Sequence, residues 1–303
     1  MTRLQASSIL LLTGALWGFG FVAQRNAMDA LGPHSVVAFR FVAATLAILP
    51  FALRESRRAA EPLAPRDWLA FVAIGLFLWL GSIAQQAGLL TTTVTNSGFL
   101  TGLYVVMVPL LGVLIFRQWP HPVIWPAVVV AMAGIFLLSG GHLGALTPGD
   151  WLTVFCAACF AMQLVLIGRF AIRTRRPVTL SVVQFAVCAV GGLVFALPTE
   201  TITGEAVASV LPELLYAGIV AGGIGFTLQA VAQAHVSAPA AAILLASESI
   251  FAALFGALFL GERLPPTGLV GCALIFAAIV CVETVPAALA RRRANAEARL
   301  PVA

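Results

Sequence analysis

The side chains able to do chemistry in this chain lie inside long apolar runs. Glu248 is the deepest acid, well within the run 238–260, with Ser247 beside it. Gln85, Gln163 and Gln229 place amides inside other runs, and Trp17, Trp79 and Tyr104 add rings with a polar edge. An acid at that depth is rare and a functional role is the default hypothesis. Glu248 could exchange a proton, hold the ammonium group of a solute, or make a structural hydrogen bond. The glutamines could contact a solute or tie helices together, at about 0.6 kcal/mol per interhelical bond in membranes. Three sets share a helical face: Trp17, Phe21 and Gln24; Trp79, Ser82 and Gln86, with Gln85 alongside; and Phe226, Gln229 and Gln233. Arg40, near a run end, is expected to snorkel to the outer interface.

Catalytic and metal chemistry finds no such support. The histidines at 34, 121, 142 and 235 stand near run ends, with no H-E-x-x-H or G-x-S-x-G pattern. Cys156 and Cys159 form a C-x-x-C without a second ligand pair, and small apolar packing is the expected role of all five cysteines. No enzyme activity and no cofactor is expected. The lining chemistry suits a neutral or zwitterionic solute with an apolar or aromatic part. No acid cluster offers to hold a strongly cationic drug, and no deep Arg pair offers to grip a phosphate.

These residues must be positioned by membrane helices. Of 303 residues 61% are hydrophobic and only 10% charged, and mean hydropathy is +1.02. Soluble domains are usually about 25% charged. Apolar runs of about 20 residues, the length that crosses a bilayer, fall near 6–24, 35–53, 67–90, 95–116, 121–139, 150–169, 178–197, 209–234, 238–260 and 265–285. Arg3 followed by an apolar run imitates a signal peptide, but the run is long enough to span and is taken as the first helix. The net charge of +5 does not imply nucleic acid, because the arginines flank the spans. With the N-terminus inside, fourteen of the 17 arginines fall in cytoplasmic segments, only Arg25 and Arg263 fall outside, and Arg40 lies within a span. Both termini are therefore expected in the cytoplasm.

The spans repeat. At an ungapped offset of 144 positions, Gly81 matches Gly225, Gln85 matches Gln229, Pro33 matches Pro177, Phe41 matches Phe185 and Arg25 matches Arg169. Arg40 meets Gln184, and Gln118 meets Glu262. The expected organisation is a five-helix repeat over 1–141, a second over 149–286 and a cytoplasmic tail over 287–303. An odd number of spans makes the second copy enter the membrane inverted, an architecture of transporters. The fold class is all-α integral membrane, with ten transmembrane helices in two inverted repeats.

Gly14-Ala15-Leu16-Trp17-Gly18 with Phe21, Phe39-Arg40-Phe41, the run Ser247-Glu248-Ser249-Ile250-Phe251 and Leu260-Gly261-Glu262-Arg263-Leu264 resemble the EamA-type drug/metabolite transporters. The family often has Pro at the position of Ser249 and Gly-Glu at Arg117-Gln118. The resemblance covers nearly the whole chain and extends in particular to bacterial exporters of amino acids, aromatic ones included. It implies outward transport of a small-molecule substrate across a bacterial inner membrane, with membrane lipid as the other partner.

Overall fold

The computed structural model describes residues 1–92, 94–140, 146–259 and 266–297. Among these, nine helical segments are long and apolar enough to cross a membrane, and a shorter apolar helix, Ile124–Leu138, adds a tenth. The first repeat comprises α1 (Arg3–Ala27), α2 (Pro33–Arg58), α3 (Pro65–Gly88), a fourth span split into α4 (Val94–Thr101) and α5 (Tyr104–Phe116), and α6 (Ile124–Leu138). The second comprises α7 (Pro148–Thr174), α8 (Pro177–Thr199), the short α9 (Gly204–Ser209), an eighth span of α10 (Leu211–Leu215), a π-helix (Tyr216–Gly225) and α11 (Phe226–Gln233), a ninth split into α12 (Ala238–Leu245) and α13 (Ser247–Phe259), and α14 (Pro266–Glu297). The Leu260–Leu264 motif, Arg299 and His142 lie outside the described residues. The helix α14 carries the start of the expected tail.

The repeat offset reappears in the backbone. Pro33 and Pro177 each open a helix at a first-turn position, where the missing N–H costs nothing and the fixed φ suits a helix. The breaks in the fourth and ninth spans also match, since α4 and α12 occupy equivalent residues. Each repeat begins with a threonine capping box, Thr2 with Gln5 and Thr147 with Asp150. Continuous helices are expected for all ten spans, and three depart from this. The π-helix falls where Gly218, Gly222, Gly223 and Gly225 cluster, and Gly218 lies so close to α2 that a Cβ there would meet the Arg40 carbonyl at 2.6 Å. Glycine permits that wide, closely approached backbone. At the end of α5, Arg117 adopts a left-handed φ of 52°, the conformation that the family's more usual Gly would take without strain.

The two copies meet along α2 and α8, which run antiparallel. Glu55, near the end of α2, accepts hydrogen bonds from the Val178 N–H at 3.2 Å, the Thr179 N–H at 2.7 Å and the Thr179 hydroxyl at 2.7 Å. Glu200, just past α8, accepts from the His34 N–H at 2.8 Å, the Ser35 N–H at 2.8 Å and the Ser35 hydroxyl at 2.6 Å. Each repeat thus caps the other's helix N-terminus, where unpaired N–H groups and the helix dipole favour an anion. Between the caps, Phe41 and Phe185 stack at 5.9 Å, and Gly192 brings the α8 backbone against Ala38. The last spans of the two repeats, α6 and α14, touch backbone to backbone at Gly134 and Gly271.

Glu55→Ala and Glu200→Ala are each expected to lower stability by about 1–2 kcal/mol, the cost of a lost helix cap. The double variant should lose close to the sum, because the caps stand at opposite ends of the seam. Thermal unfolding in detergent or nanodiscs checks both statements.

Candidate functional site

A cavity of about 660 Å³, its opening included, lies between the repeats. Both copies line it: Trp17, Phe21 and Gln24 from α1, Arg40 and Phe41 from α2, Gln85 from α3, Thr101 and Tyr104 from the fourth span, Phe160 and Gln163 from α7, Phe226 and Gln229 from the eighth span, and Glu248 from α13.

Its walls follow from the repeated Gly-x-x-x-Gln. A Cβ at Gly81 would come within 2.5 Å of the Phe160 ring, and one at Gly225 within 2.7 Å of the Trp17 indole nitrogen. Each glycine therefore admits an aromatic ring from a neighbouring helix. One turn later, Gln85 and Gln229 present amides on the same face. The Trp17 indole donates to the Ala221 carbonyl at 2.9 Å, and its ring meets Phe226 at 4.6 Å. Phe226 also lies 6.3 Å from Phe41, so three rings form one continuous apolar wall.

The amides divide into two kinds. Gln163 donates to Gln184 at 3.1 Å, Gln229 donates to Gln163 at 3.4 Å and Gln233 at 3.1 Å, and Gln233 donates to the Leu164 carbonyl at 3.0 Å. This chain ties α7, α8 and α11 together. Gln85 is separate and donates to Thr101 at 3.0 Å. The buried Gln229 Oε1 has no hydrogen-bond partner among the described residues.

The charged residues come from different repeats. Tyr104 donates its hydroxyl to Glu248 at 3.2 Å across 144 positions, so these two are repeat equivalents that meet at the pseudo-two-fold axis. Arg40 does not snorkel. It is 6% exposed, donates to the Gln24 side-chain carbonyl and lies 4.8 Å over the Phe41 ring. Gln24 and the ring replace the interfacial water that the sequence pattern assigns to it.

Of the eight residues singled out in the sequence, Trp17, Gln85, Tyr104, Gln163, Gln229 and Glu248 line the cavity. Trp79 and Ser247 do not. The Trp79 ring stacks on Phe195 at 5.5 Å and packs on Gly191. Ser247 sits against Gly14, whose Cβ would come within 2.3 Å of its hydroxyl, and Gly18 faces the Glu248 carbonyl. The glycines of the Gly14–Gly18 motif thus let α1 approach α13. Arg40, Phe160 and Thr101 also line the cavity. Arg40 carried a signal in its motif, but its burial depends on Gln24 from another helix.

Two helical repeats of membrane-crossing length around a shared cavity are the architecture of an integral membrane transporter. The EamA-like transporter family model matches residues 5–140 and 147–284, and the chain belongs to that family. It is 31% identical over 281 residues to an uncharacterized transporter of Archaeoglobus fulgidus, covering 93% of this chain and 86% of that protein. It is 27% identical over 302 residues to the uncharacterized transporter YwfM of Bacillus subtilis, covering 96% and 97%. A protein of known crystal structure shares the fold with a TM-score of 0.77 at 18% identity, over 94% of this chain and 99% of that one.

Gln233→Leu removes the amide that anchors the chain to Leu164 and accepts from the cavity residue Gln229. It should destabilise the protein by about 1–2 kcal/mol through unpaired amides, read as a lower unfolding temperature.

Proposed function

We propose that the chain exports small zwitterionic metabolites, neutral and aromatic amino acids foremost, across a bacterial inner membrane by alternating access. The observation that carries this reading is the composition of the shared cavity. An apolar wall of Trp17, Phe41 and Phe226 shares the cavity with amides from both repeats and with the hydroxyls of Thr101 and Tyr104. Such a lining accommodates a ring or aliphatic side chain while hydrogen-bonding a polar head. The charged groups are single rather than clustered, which disfavours multivalent anions such as nucleotide sugars. The arginine asymmetry supports cytoplasmic termini, and the outward direction follows the family resemblance. A drug-like cation is the alternative substrate, and Glu248 is the residue that would favour it. An enzyme or a channel is the different-class alternative; saturable solute flux separates a carrier from both.

The test is flux of radiolabelled L-phenylalanine and L-leucine into proteoliposomes. Saturable uptake competed by unlabelled amino acid is expected. Trp17→Ala and Gln85→Ala should each lower kcat/KM by about tenfold, the effect of about 1.4 kcal/mol of lost binding. No saturable flux of either amino acid from folded protein would overturn the reading and turn attention to cations.

A further inference from the structure

The cavity holds one buried cation and one buried acid that do not neutralise each other. Arg40 comes from the first repeat and Glu248 from the second, and both line the cavity. They are 6% and 7% exposed. Among the described residues the ion pairs within 4.0 Å are Arg3–Glu283 and Arg173–Asp67, so Arg40 and Glu248 stand farther apart than that. Each has only a partial complement. Arg40 has the Gln24 carbonyl and the Phe41 face, and its Nε has no partner. Glu248 has one hydrogen bond, from Tyr104, on one of its two oxygens.

Buried charges are expensive unless paired. Two opposite charges held apart across a cavity form a fixed dipole, and the solute that best completes it carries the reverse dipole. A simple cation would satisfy Glu248 but be repelled by Arg40, and a simple anion would meet the converse. Like-charge contacts in a desolvated site cost several kcal/mol. We propose that Arg40 and Glu248 are the two specificity-determining poles of the site, Arg40 taking the substrate's carboxylate and Glu248 its ammonium group. The inference rests on the amino-acid reading above and adds the orientation. Arg40 presents a rigid fork of donors suited to a carboxylate. The carboxylate of Glu248 accepts from an ammonium while Tyr104 holds it in place. The side chain then lies on the wall formed by Trp17, Phe41 and Phe226. Gln24 acts as a positioning residue for Arg40.

The test is inhibition of L-phenylalanine uptake in proteoliposomes by two analogues, each lacking one pole. Phenethylamine has no carboxylate, and 3-phenylpropionate has no ammonium group. With wild-type protein, each should compete at least about tenfold more weakly than unlabelled L-phenylalanine, a conservative figure for leaving one buried charge unpaired. Arg40→Gln should abolish the preference over phenethylamine and keep the preference over 3-phenylpropionate. Glu248→Gln should do the reverse. The wild-type comparison decides the matter even where a variant fails to fold. Saturable phenylalanine flux with phenethylamine or 3-phenylpropionate competing as well as phenylalanine overturns the two-pole assignment and leaves the amino-acid reading standing. The same holds if either variant alters the wrong preference. Absence of any amino-acid flux defeats the amino-acid reading itself.

Discussion

Two carboxylates close two helix ends that belong to the other half of the molecule. A buried helix N-terminus without a cap leaves its first N–H groups unpaired, which is costly. Glu55 and Glu200 meet that constraint reciprocally, so α2 and α8 are held together at both ends. The stacked Phe41 and Phe185 and the Gly192 contact fill the seam between them. The cavity lies beside this seam, and Arg40 and Phe41 reach it from α2. The interruptions in the fourth, eighth and ninth spans are all next to the cavity rather than along the seam. Non-helical or π-helical backbone is tolerated at membrane depth where it faces protein or a cavity, and three cavity residues, Thr101, Tyr104 and Phe226, flank these interruptions.

Duplication set the shape of the site, and divergence set its chemistry. Where the copies agree, the result is form. Gly81 and Gly225 each make room for a ring, and Gln85 and Gln229 each present an amide. Where they differ, charge appears once. Arg40 faces a repeat equivalent, Gln184, that has become part of the amide chain. Glu248 faces a repeat equivalent, Tyr104, that has become its hydrogen-bond donor. A symmetric site with two arginines or two glutamates would carry like charges across a small cavity. Splitting the roles between copies leaves one of each sign.

Apolar run length and the ungapped offset made the apolar spans and the two-copy organisation legible, because each depends on local residue type. Depth within a span was legible too, but direction was not. Trp17 and Trp79 look alike as ring-bearing residues inside spans. One faces the cavity because Gly225 admits it, and the other faces Gly191 on α8. Ser247 adjoins Glu248 in sequence yet packs on Gly14, since neighbours on a helix point in different directions. The burial of Arg40 was hidden for a similar reason. Its partners, Gln24 and Phe41, reveal themselves only once α1 and α2 are side by side. The split helices had weak signals, because Gly102 and Ala246 are ordinary residues for close packing.

Several buried polar groups are left without partners among the described residues. Buried polar groups in folded proteins are nearly always paired, and each exception calls for a physical reason. The amide chain shows that this chain can pair such groups at depth when they serve to hold helices: Gln163, Gln184, Gln229 and Gln233 bond one another in sequence. At the cavity Arg40 Nε lacks an acceptor and Gln229 Oε1 lacks a donor, and away from it Gln184 Nε2 and both polar atoms of Gln86 are open as well. The open groups at the cavity come one from each repeat, and a solute that bonded both would join the repeats only while it is bound. Differential contact of that kind is what a carrier requires, since a ligand shifts a conformational equilibrium only by as much as it binds one arrangement better than the other.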